Sequence, residues 1–297
     1  MVNEIIRKHL ETIPEDKVIV EVGFFGGTFT GLRPVQQQSY FDSVHPFIHS
    51  GRIASIRLST RPDFITPQIL SLLKQNFVKT IELGAQSMED DVLRLSSRGH
   101  TSTDTEEASK MITGAGFSLG LQMMIGLPGD TEEKAIRTAH KIVGLNATET
   151  RIYPVLVISG TELEKLFISG KYHPLELEEA IRWTKNVVTV FESSATRILR
   201  IGLHPSEELV NKSVLVAGPF HPSFRELVMT EIWHDRFKSG SFSRPHNTIN
   251  IHVNPADHNN AVGYFGKNRK FFECRYREVK FIPDPATHLN TYHVDYR

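Results

Sequence analysis

The chain is nearly devoid of cysteine, since Cys274 is the only one among its 297 residues. One cysteine excludes an intrachain disulfide and any metal site built from several thiolates. The chain also lacks an uninterrupted apolar run near the roughly 18 residues that indicate a membrane-spanning helix. Its 34 basic and 34 acidic residues cancel, so no overall electric field attracts nucleic acid or a membrane surface. We therefore expect a cytoplasmic protein with no membrane partner.

What the chain does contain is a regular alternation of short apolar runs and longer segments of helical periodicity. The strand-like runs lie at residues 18–25, 54–60, 79–86, 118–126, 150–158 and 196–205. Strands that alternate with helices favour βαβ units on a parallel sheet, and the spacing of these runs favours a barrel or partial barrel. We place this α/β core at residues 1–205. At residues 206–297, where the pattern changes, we predict a small α+β extension.

Residues suited to ligand binding recur where these strands end, which is where ligands bind in parallel α/β folds. The positions are Gly26, Gly27, Thr28, Ser59, Gln86, Arg98, Gln122 and Tyr153. Glycines allow the backbone to approach a ligand closely, and hydroxyl, amide and guanidinium groups can bind its polar atoms. Each position alone also has a structural explanation, as a turn, an ion pair or a satisfied interior amide. Their recurrence at five successive strands favours one cleft around Thr28, Ser59, Gln86, Gln122 and Tyr153.

Six segments of the chain together resemble one family. They are FFGGTFTGL, STRPD, ELGAQSMEDDVLRLSSRGHT, GLQMMIGLPGDT, YPVLVISGTELE and AGPFHPSFRELV. In this order they resemble the radical S-adenosylmethionine (SAM) superfamily, and within it the branch typified by the catalytic subunit of Elongator. The resemblance implies a partial parallel (βα)6 TIM-like barrel that holds SAM against a [4Fe–4S] cluster. It also implies a reductant such as flavodoxin or ferredoxin, which drives cleavage of SAM to a 5′-deoxyadenosyl radical in an intact enzyme.

The same resemblance assigns a cofactor-binding role to the eight strand-end positions and leaves the catalytic residues unknown. It assigns residues 26–28 to the methionine end of SAM, and Gln86 and Arg98 to its ribose and carboxylate. The carboxylate contact suits a guanidinium, which can bind such a group with two parallel hydrogen bonds. Ser59 and Gln122 stand where the resembling families carry a carboxylate, so both positions lose a charge.

The cluster-binding part of the resembling superfamily is absent from this sequence. There, a CxxxCxxC motif on the loop after the first barrel strand holds the cluster through cysteine thiolates. This chain has no cysteine before Cys274 and no counterpart of that first strand. Either the chain is truncated or it is a degenerate member, and the loss of a strand together with the ligands favours truncation. We identify no metal ligands, and we expect the chain alone to bind no cluster and to leave an unpaired strand edge beside VIVEV.

A second signal lies in the extension, where strand-like INIHV, a helical turn, GYFG, a helix and strand-like VKFIP follow one another. In KH domains a GxxG loop clamps the backbone of a nucleic acid. The candidate RNA-binding residues are Gly263, Gly266, Lys267, Arg269 and Lys270. The alternative is a small α+β cap with a glycine turn and a solvated basic face. Because the Elongator-type relatives modify wobble uridines of tRNA, the resemblance favours RNA as the partner.

Two functions follow from these observations, and both stay open. The first is a radical SAM-type protein with a SAM-binding barrel core, which acts on RNA or tRNA when a cluster-binding N-terminus is present. The second is a cluster-less, catalytically inactive module that binds SAM or RNA. A third function, a metal-independent barrel enzyme with His204 or His221 as its acid or base, ranks below both because a lone histidine is more often structural.

Overall fold

The structure is a computed structural model that describes residues 2–14, 18–211, 213–243 and 247–297. By their contacts the residues form two compact units. The first comprises residues 1–153 and 189–200, and the second comprises residues 154–188 and 201–297. The domain boundary expected near residue 205 stays a prediction. No helix of the described residues has both the length and the hydrophobicity to cross a membrane.

Strands alternate with helices through most of the chain. The strands are β1 (Glu21–Phe24), β2 (Ser55–Thr60), β3 (Val78–Gln86), β4 (Ser118–Ile125), β5 (Glu149–Pro154), β6 (Val157–Ile158), β7 (Arg197–Ile201), β8 (Leu215–Ala217), β9 (Thr248–Val253), β10 (Glu278–Pro283) and β11 (Tyr292–Tyr296). The helices are α1 (Val2–Leu10), α2 (Pro34–His49), α3 (Pro67–Gln75), α4 (Asp90–Leu95), α5 (Ser102–Gly114), α6 (Glu132–Gly144), α7 (Glu162–Ile168), α8 (Leu177–Glu192), α9 (Glu207–Val210), α10 (Phe224–Ser239), α11 (His258–Val262) and α12 (Lys267–Glu273). Local signals start several helices: in α3, the Thr66 hydroxyl accepts from the Ile69 N–H and Pro67 occupies the first position.

Six of the strands form one curled half-barrel sheet of parallel strands, in the order β1-β2-β3-β4-β5-β7. This confirms the predicted α/β partial barrel. Side chains alternate between the two faces of each strand. On β2, Ile56 and Leu58 are fully buried, whereas Arg57 and Ser59 project from the opposite face. The same alternation on β3, β4 and β5 gathers polar side chains on the face that carries Arg57.

The predicted strand at residues 150–158 is two strands, β5 and β6, which belong to different sheets. Pro154 is the last residue of β5, and proline has no N–H with which to continue a hydrogen-bonded ladder. β6 pairs instead with β8 in the antiparallel sense. The division between the two units falls at the same proline.

β1 is the edge strand of the six-stranded sheet, and within the described residues it pairs with β2 alone. Its side chains are exposed or half-buried, and Val18 and Ile19 just before it are exposed. The expected unpaired edge beside VIVEV is therefore present. Such an edge offers free backbone N–H and C=O groups that can pair with a further strand.

Charged side chains form a network on the face of the sheet that carries Arg57. The Glu82 carboxylate lies 3.5 Å from Arg57 Nη2 and 3.0 Å from Arg151 Nε. Arg57 also pairs with Glu149 and lies 3.7 Å from Glu21. The side chain of Glu82 is only 3% exposed, and charges this buried are stable only when they are paired. We call these five residues the interior ion-pair network, and it links β1, β2, β3 and β5.

The second unit contains a three-stranded sheet in the order β10-β9-β11, with β9 parallel to β10 and antiparallel to β11. α11 and α12 pack against β10, and α10 packs against both helices. The core residues are Trp233, Phe237, Ile249, Ile251, Val253, Ala261, Phe272, Tyr276, Val279 and Phe281. The order of strand, helix, GYFG, helix and strand is as predicted, which confirms the small α+β extension.

We predict that Glu82→Ala lowers the free energy of unfolding by about 3–5 kcal/mol, because it leaves the largely covered guanidinium groups of Arg57 and Arg151 without their shared carboxylate. Urea titration followed by far-ultraviolet circular dichroism measures the change. Both tryptophans, Trp183 and Trp233, lie in the second unit, so their fluorescence does not report on this network.

Glu107→Ala is the matched control, since Glu107 is an exposed glutamate on α5 in the same unit. Its effect should stay within about 0.5 kcal/mol. Equal losses in the two variants would show that the interior ion-pair network does not stabilise the sheet.

Candidate functional site

A cavity of about 400 Å³ in the first unit brings most of the predicted site residues together. Seven of the eight predicted cofactor-binding positions line it: Gly26, Gly27, Thr28, Ser59, Gln86, Gln122 and Tyr153. They meet because the carboxyl ends of parallel strands share one edge of the sheet. The volume is within the range of about 300–1,000 Å³ that is typical of ligand pockets. One cleft therefore joins the five strand ends as expected, while the cofactor-binding role of its residues stays a prediction.

The turn after β1 forms one wall of this cavity. Gly26 and Gly27 have φ angles of +110° and +125°, which other residues rarely adopt. A Cβ at either position would meet no atom within 4 Å, so the backbone conformation rather than crowding requires glycine. The hydroxyls of Thr30 and Thr60 hydrogen-bond at 2.6 Å and tie the turn to the end of β2. The turn thus presents backbone without side chains to the cavity.

Gln86 ends β3 in a left-handed conformation, with a φ of +62°. The pairing of β3 with β4 changes register between Gly84 and Gln86. The Gln86 amide folds back over Gly84, where a Cβ would lie 2.6 Å from its Nε2. Gln122 Nε2 donates a hydrogen bond of 3.3 Å to Gln86 Oε1. Backbone strain of this kind concentrates at functional sites, and here it turns two side-chain amides towards one cavity.

Further residues line the cavity: Phe25, Thr60, Arg61, Glu82, Gly84 and Arg151. The sequence analysis missed Glu82 and Arg151. Arg151 pairs with Glu82 and lies over the Phe25 ring at 5.1 Å. Burial alone would lower the pKa of Arg151, but Glu82 and, after it, Tyr153 together more than offset this and the pKa is raised. The sequence could have predicted both residues. Because side chains alternate along a strand, Glu82 lies on the same face as Gln86, and Arg151 lies on the same face as Tyr153.

Arg61 reaches the cavity but is already bound by other groups of the protein. Its guanidinium donates to the Asp63 carboxylate at 2.9 and 2.7 Å and to the Gly99 carbonyl at 3.0 Å. The hydrogen bond to Asp63 raises the pKa of Arg61. This cation therefore ties the end of β2 to the loop before α5.

A second cavity of about 270 Å³ shares residues 25–28 and Ser59 with the first. The rest of its lining is apolar or aromatic and consists of Phe24, Phe29, Leu32 and Tyr40. The rings of Phe24 and Phe29 stack with their centroids 5.1 Å apart. The glycine turn thus stands between a polar compartment and an aromatic one.

Arg98 lines neither cavity. Its Nη2 contacts Met124 Sδ at 3.1 Å, and Met124 shares a face of β4 with Gln122 because strand residues alternate. The Nε atom of Arg98 is buried without a hydrogen-bond partner, and no carboxylate of the described residues pairs with the guanidinium. Burial lowers the pKa of this group. Arg98 is a half-buried cation with an unused Nε donor beside Met124, and its role as a carboxylate ligand stays a prediction.

The predicted RNA-binding residues lie around one turn of the second unit. Gly263 precedes and Gly266 ends a short 3₁₀ turn between α11 and α12, and their φ angles are +82° and +70°. The Tyr264 N–H donates to Thr230 Oγ1 at 2.7 Å, and the Gly266 N–H donates to the Gly263 carbonyl at 2.8 Å. Phe265, between them, is 82% exposed. The turn therefore uses two of its N–H groups internally and presents an aromatic ring to solvent.

The basic residues after this turn differ in their contacts. Lys267 pairs with Glu231, and Arg269 lies over the Phe281 ring at 5.9 Å. Lys270 is exposed. The contacts of Lys267 and Arg269 within the protein support a structural role for these two residues. The exposure of Lys270 is compatible with RNA binding.

Two family profiles match the chain. The profile of the Radical SAM superfamily matches residues 1–142, and that of the Radical SAM C-terminal domain matches residues 148–234. The first match contains the turn after β1 and the ends of β2, β3 and β4, which line the cavity.

The similar curated proteins include enzymes named for tRNA. A tRNA uridine(34) acetyltransferase of Methanocaldococcus jannaschii is 27% identical over 195 residues, which are 59% of this chain and 36% of that protein. Elongator complex protein 3 of Mus musculus is 26% identical over 234 residues, which are 72% of this chain and 42% of that protein. This chain thus spans less than half the length of these relatives.

Among solved structures, the archaeal Methanocaldococcus infernus Elp3 with an N-terminal deletion (1–46) has a similar fold. The two structures superpose with a TM-score of 0.69 at 23% sequence identity, and the match covers 79% of this chain and 58% of the other. The likeness confirms the partial barrel.

We predict that Arg98→Met leaves the free energy of unfolding unchanged or raises it, because it replaces a half-buried, unpaired charge with an apolar side chain beside Met124. Arg57→Met is the control, since Arg57 is also half-buried but is paired with Glu82 and Glu149. That variant should lose about 3–5 kcal/mol. Urea titration with circular dichroism compares the two, and a similar loss in both would identify Arg98 as a structural residue.

Proposed function

Because this chain belongs to the radical SAM superfamily, in its Elongator-like branch, we propose that it forms the SAM-binding barrel core of a protein that acts on RNA. The observation that carries the proposal is the cavity that gathers seven of the eight positions matched to SAM-binding residues. The name of the M. jannaschii acetyltransferase points to tRNA, but this chain spans 36% of that protein. RNA as the substrate is therefore part of the proposal.

The groups around the cavity fit the parts of SAM. The proposed cofactor-binding residues are Gly26, Gly27, Thr28, Ser59, Gln86, Arg98, Gln122 and Tyr153. Bare backbone at residues 26–28 suits the methionyl end, to which the Thr28 hydroxyl adds a hydrogen bond. The amides of Gln86 and Gln122 both donate and accept, as the ribose hydroxyls require. Arg98 lies outside the cavity lining, beside Met124 on the strand face of Gln122, and its unpartnered Nε is proposed to meet the methionyl carboxylate with a positive charge.

Superfamily membership implies a [4Fe–4S] cluster beside SAM, and the residues of this chain do not fit that cluster. Cluster irons are bound by cysteine thiolates, whereas the one cysteine, Cys274, is exposed in the second unit. SAM supplies a bond between sulfur and the 5′ carbon, whose reductive cleavage begins radical chemistry in this superfamily. No step of that chemistry is assigned to this chain, and its proposed role in it is to bind and orient SAM.

We propose RNA as a second ligand, bound at the GYFG turn through Gly263, Gly266, Lys267, Arg269 and Lys270. The observation that favours it is the exposed ring of Phe265 within this turn, close in sequence to three basic residues. Bases of single-stranded RNA stack on exposed aromatic rings, and nearby cations attract the phosphates. Two N–H groups of the turn already donate hydrogen bonds within the protein, so they are not free to bind phosphates. We therefore propose that the Phe265 ring and the basic side chains, rather than the backbone of the turn, make most of the contacts with RNA.

We predict that the chain binds SAM and that Gln122→Arg abolishes the binding, because a longer cationic side chain fills the cavity and repels the sulfonium group. Gln75→Arg is the matched control, since Gln75 is exposed on α3 of the same unit. Isothermal titration calorimetry with SAM measures the affinity of each protein.

Arg98→Met adds a second arm to this experiment. Loss of a charge-assisted hydrogen bond, worth about 1.5–3 kcal/mol, should weaken SAM binding by about 10- to 100-fold. Wild-type affinity in Gln122→Arg would remove the cavity from the proposal. Wild-type affinity in Arg98→Met alone would remove only that residue.

We predict that Phe265→Ala weakens binding of a tRNA anticodon stem-loop by about 5- to 100-fold, since base stacking on an aromatic side chain is worth about 1–3 kcal/mol. Lys270→Ala should instead reduce the slope of log K against log salt concentration by about 0.7. Fluorescence anisotropy at several salt concentrations measures both effects. Phe77→Ala is the control, because Phe77 is an exposed phenylalanine of the first unit. Unchanged affinity in Phe265→Ala would exclude the turn from RNA binding and leave the SAM proposal intact.

A further inference from the structure

Two histidines and an aspartate converge on the three-stranded sheet of the second unit. His252 on β9 and His293 on β11 stand directly opposite each other in antiparallel register. Their rings stack with centroids 4.5 Å apart and 7° between their planes. Asp284 follows β10, the strand on the other side of β9. One ring nitrogen from each histidine and one Asp284 oxygen lie within 4.8 Å of one another.

Hydrogen bonds assign His252 a tautomer that suits a metal ligand. His252 Nε2 lies 2.7 Å from Asp295 Oδ2, and Asn250 Nδ2 donates to Asp295 Oδ1 at 2.7 Å. Because a carboxylate accepts, Nε2 carries the proton and Nδ1 keeps its lone pair. A carboxylate that holds the far nitrogen of a histidine in this way is the usual second partner of metal-binding imidazoles.

The other two groups are held by Thr287. Its hydroxyl donates to Asp284 Oδ2 at 3.0 Å, and its Oγ1 lies 3.3 Å from His293 Nδ1. With the hydroxyl proton directed at Asp284, His293 Nδ1 is the donor to Thr287 and Nε2 keeps its lone pair. Asp284 Oδ1 also accepts a hydrogen bond of 2.9 Å from the Ala286 N–H, so backbone and side chain together fix this carboxylate. The cluster therefore offers two imidazole lone pairs and one anionic oxygen.

We propose that His252, His293 and Asp284 bind one divalent transition-metal ion of the Zn²⁺ class, with Asp295 orienting His252. Two imidazoles and a carboxylate suit Zn²⁺ and its neighbours in the first transition row. Donor atoms around a tetrahedral Zn²⁺ are about 3.3 Å apart, because the bonds are about 2.0–2.2 Å long. Imidazole lone pairs lie in the ring plane, so the stacked rings of His252 and His293 direct them nearly parallel. The His293 side chain is 58% exposed and must rotate out of the stack to bind the same ion, a movement that can also shorten the 3.9 Å between its Nε2 and Asp284 Oδ2.

The position of the site in the sheet gives the metal a structural consequence. The ion would tie β11 to its neighbour β9 and, across β9, to the residue that follows β10. Ligands carried by paired strands are positioned more rigidly than ligands on loops. Three protein ligands also leave one coordination position for water or an outside group.

The test uses Cys274→Ser protein, treated with a chelator, so that no thiolate competes for the metal. Isothermal titration calorimetry with Zn²⁺ should give one ion per chain, and Co²⁺ in its place should give visible d–d absorption. His252→Ala and His293→Ala should each remove this binding.

Asp295→Asn should weaken the binding of Zn²⁺ by about 10- to 100-fold at unchanged stoichiometry, because it disturbs only the orientation of His252. His288→Ala, at an exposed histidine shortly after Asp284, is the matched control and should bind normally.

His293→Gln provides a second variant should an alanine variant fail to fold, since it keeps a polar side chain at an exposed position. Zn²⁺ should raise the Tm of the parent protein and leave that of His293→Gln unchanged. The site would be overturned by the absence of a one-to-one complex. It would also be overturned by retention of binding in both histidine variants, or by equal loss in His288→Ala, since other histidines would then be the ligands.

Discussion

Buried charge is the constraint on which the first unit depends. The low exposure of Glu82 and Arg57 is stable only while their partners on neighbouring strands remain close, at the observed distances of 3.0–3.7 Å. These strands must therefore stay side by side with the same face inward. Two residues further along, the same faces carry Ser59 on β2 and Tyr153 on β5. The interior ion-pair network thus forms one boundary of the cavity, and the residues beyond it form the walls.

This arrangement decides what kind of ligand suits the cavity. Because Glu82 and Arg151 neutralise each other, the lining offers amides, hydroxyls and bare backbone more than it offers net charge. The unpaired guanidinium of Arg98 lies beside Met124, on the strand face of Gln122. A ligand with several polar groups and one carboxylate matches this distribution, and SAM is such a ligand. The thiolates that an iron–sulfur cluster needs are not among these groups.

In the first unit the candidate site residues meet because they lie at the ends of parallel strands, whereas in the second unit the register between paired strands brings them together. Antiparallel pairing of β9 with β11 sets His252 opposite His293, and parallel pairing with β10 brings Asp284 to the same sheet. The GYFG turn depends on different contacts, since Thr230 on α10 fixes its backbone and leaves Phe265 in solvent. The small α+β extension therefore carries two chemically distinct surfaces, the donor set proposed to bind a metal and the aromatic, basic turn proposed to bind RNA.

The sequence by itself determined the order of the six half-barrel strands and of the helices between them, because alternation, helical periodicity and the effects of proline and glycine act over a few residues. It also identified the residues at the strand ends, and the parallel topology alone sufficed to bring Thr28, Ser59, Gln86, Gln122 and Tyr153 to one cavity. The pairing of Glu82 with Arg151 required knowledge of which strands are neighbours and how their registers align. The same holds for the meeting of His252 with His293 and Asp284, which share no motif spacing. Only the tertiary structure decided that Arg98 lies outside the cavity lining, since side-chain direction depends on packing against Met124 and not on position in the chain.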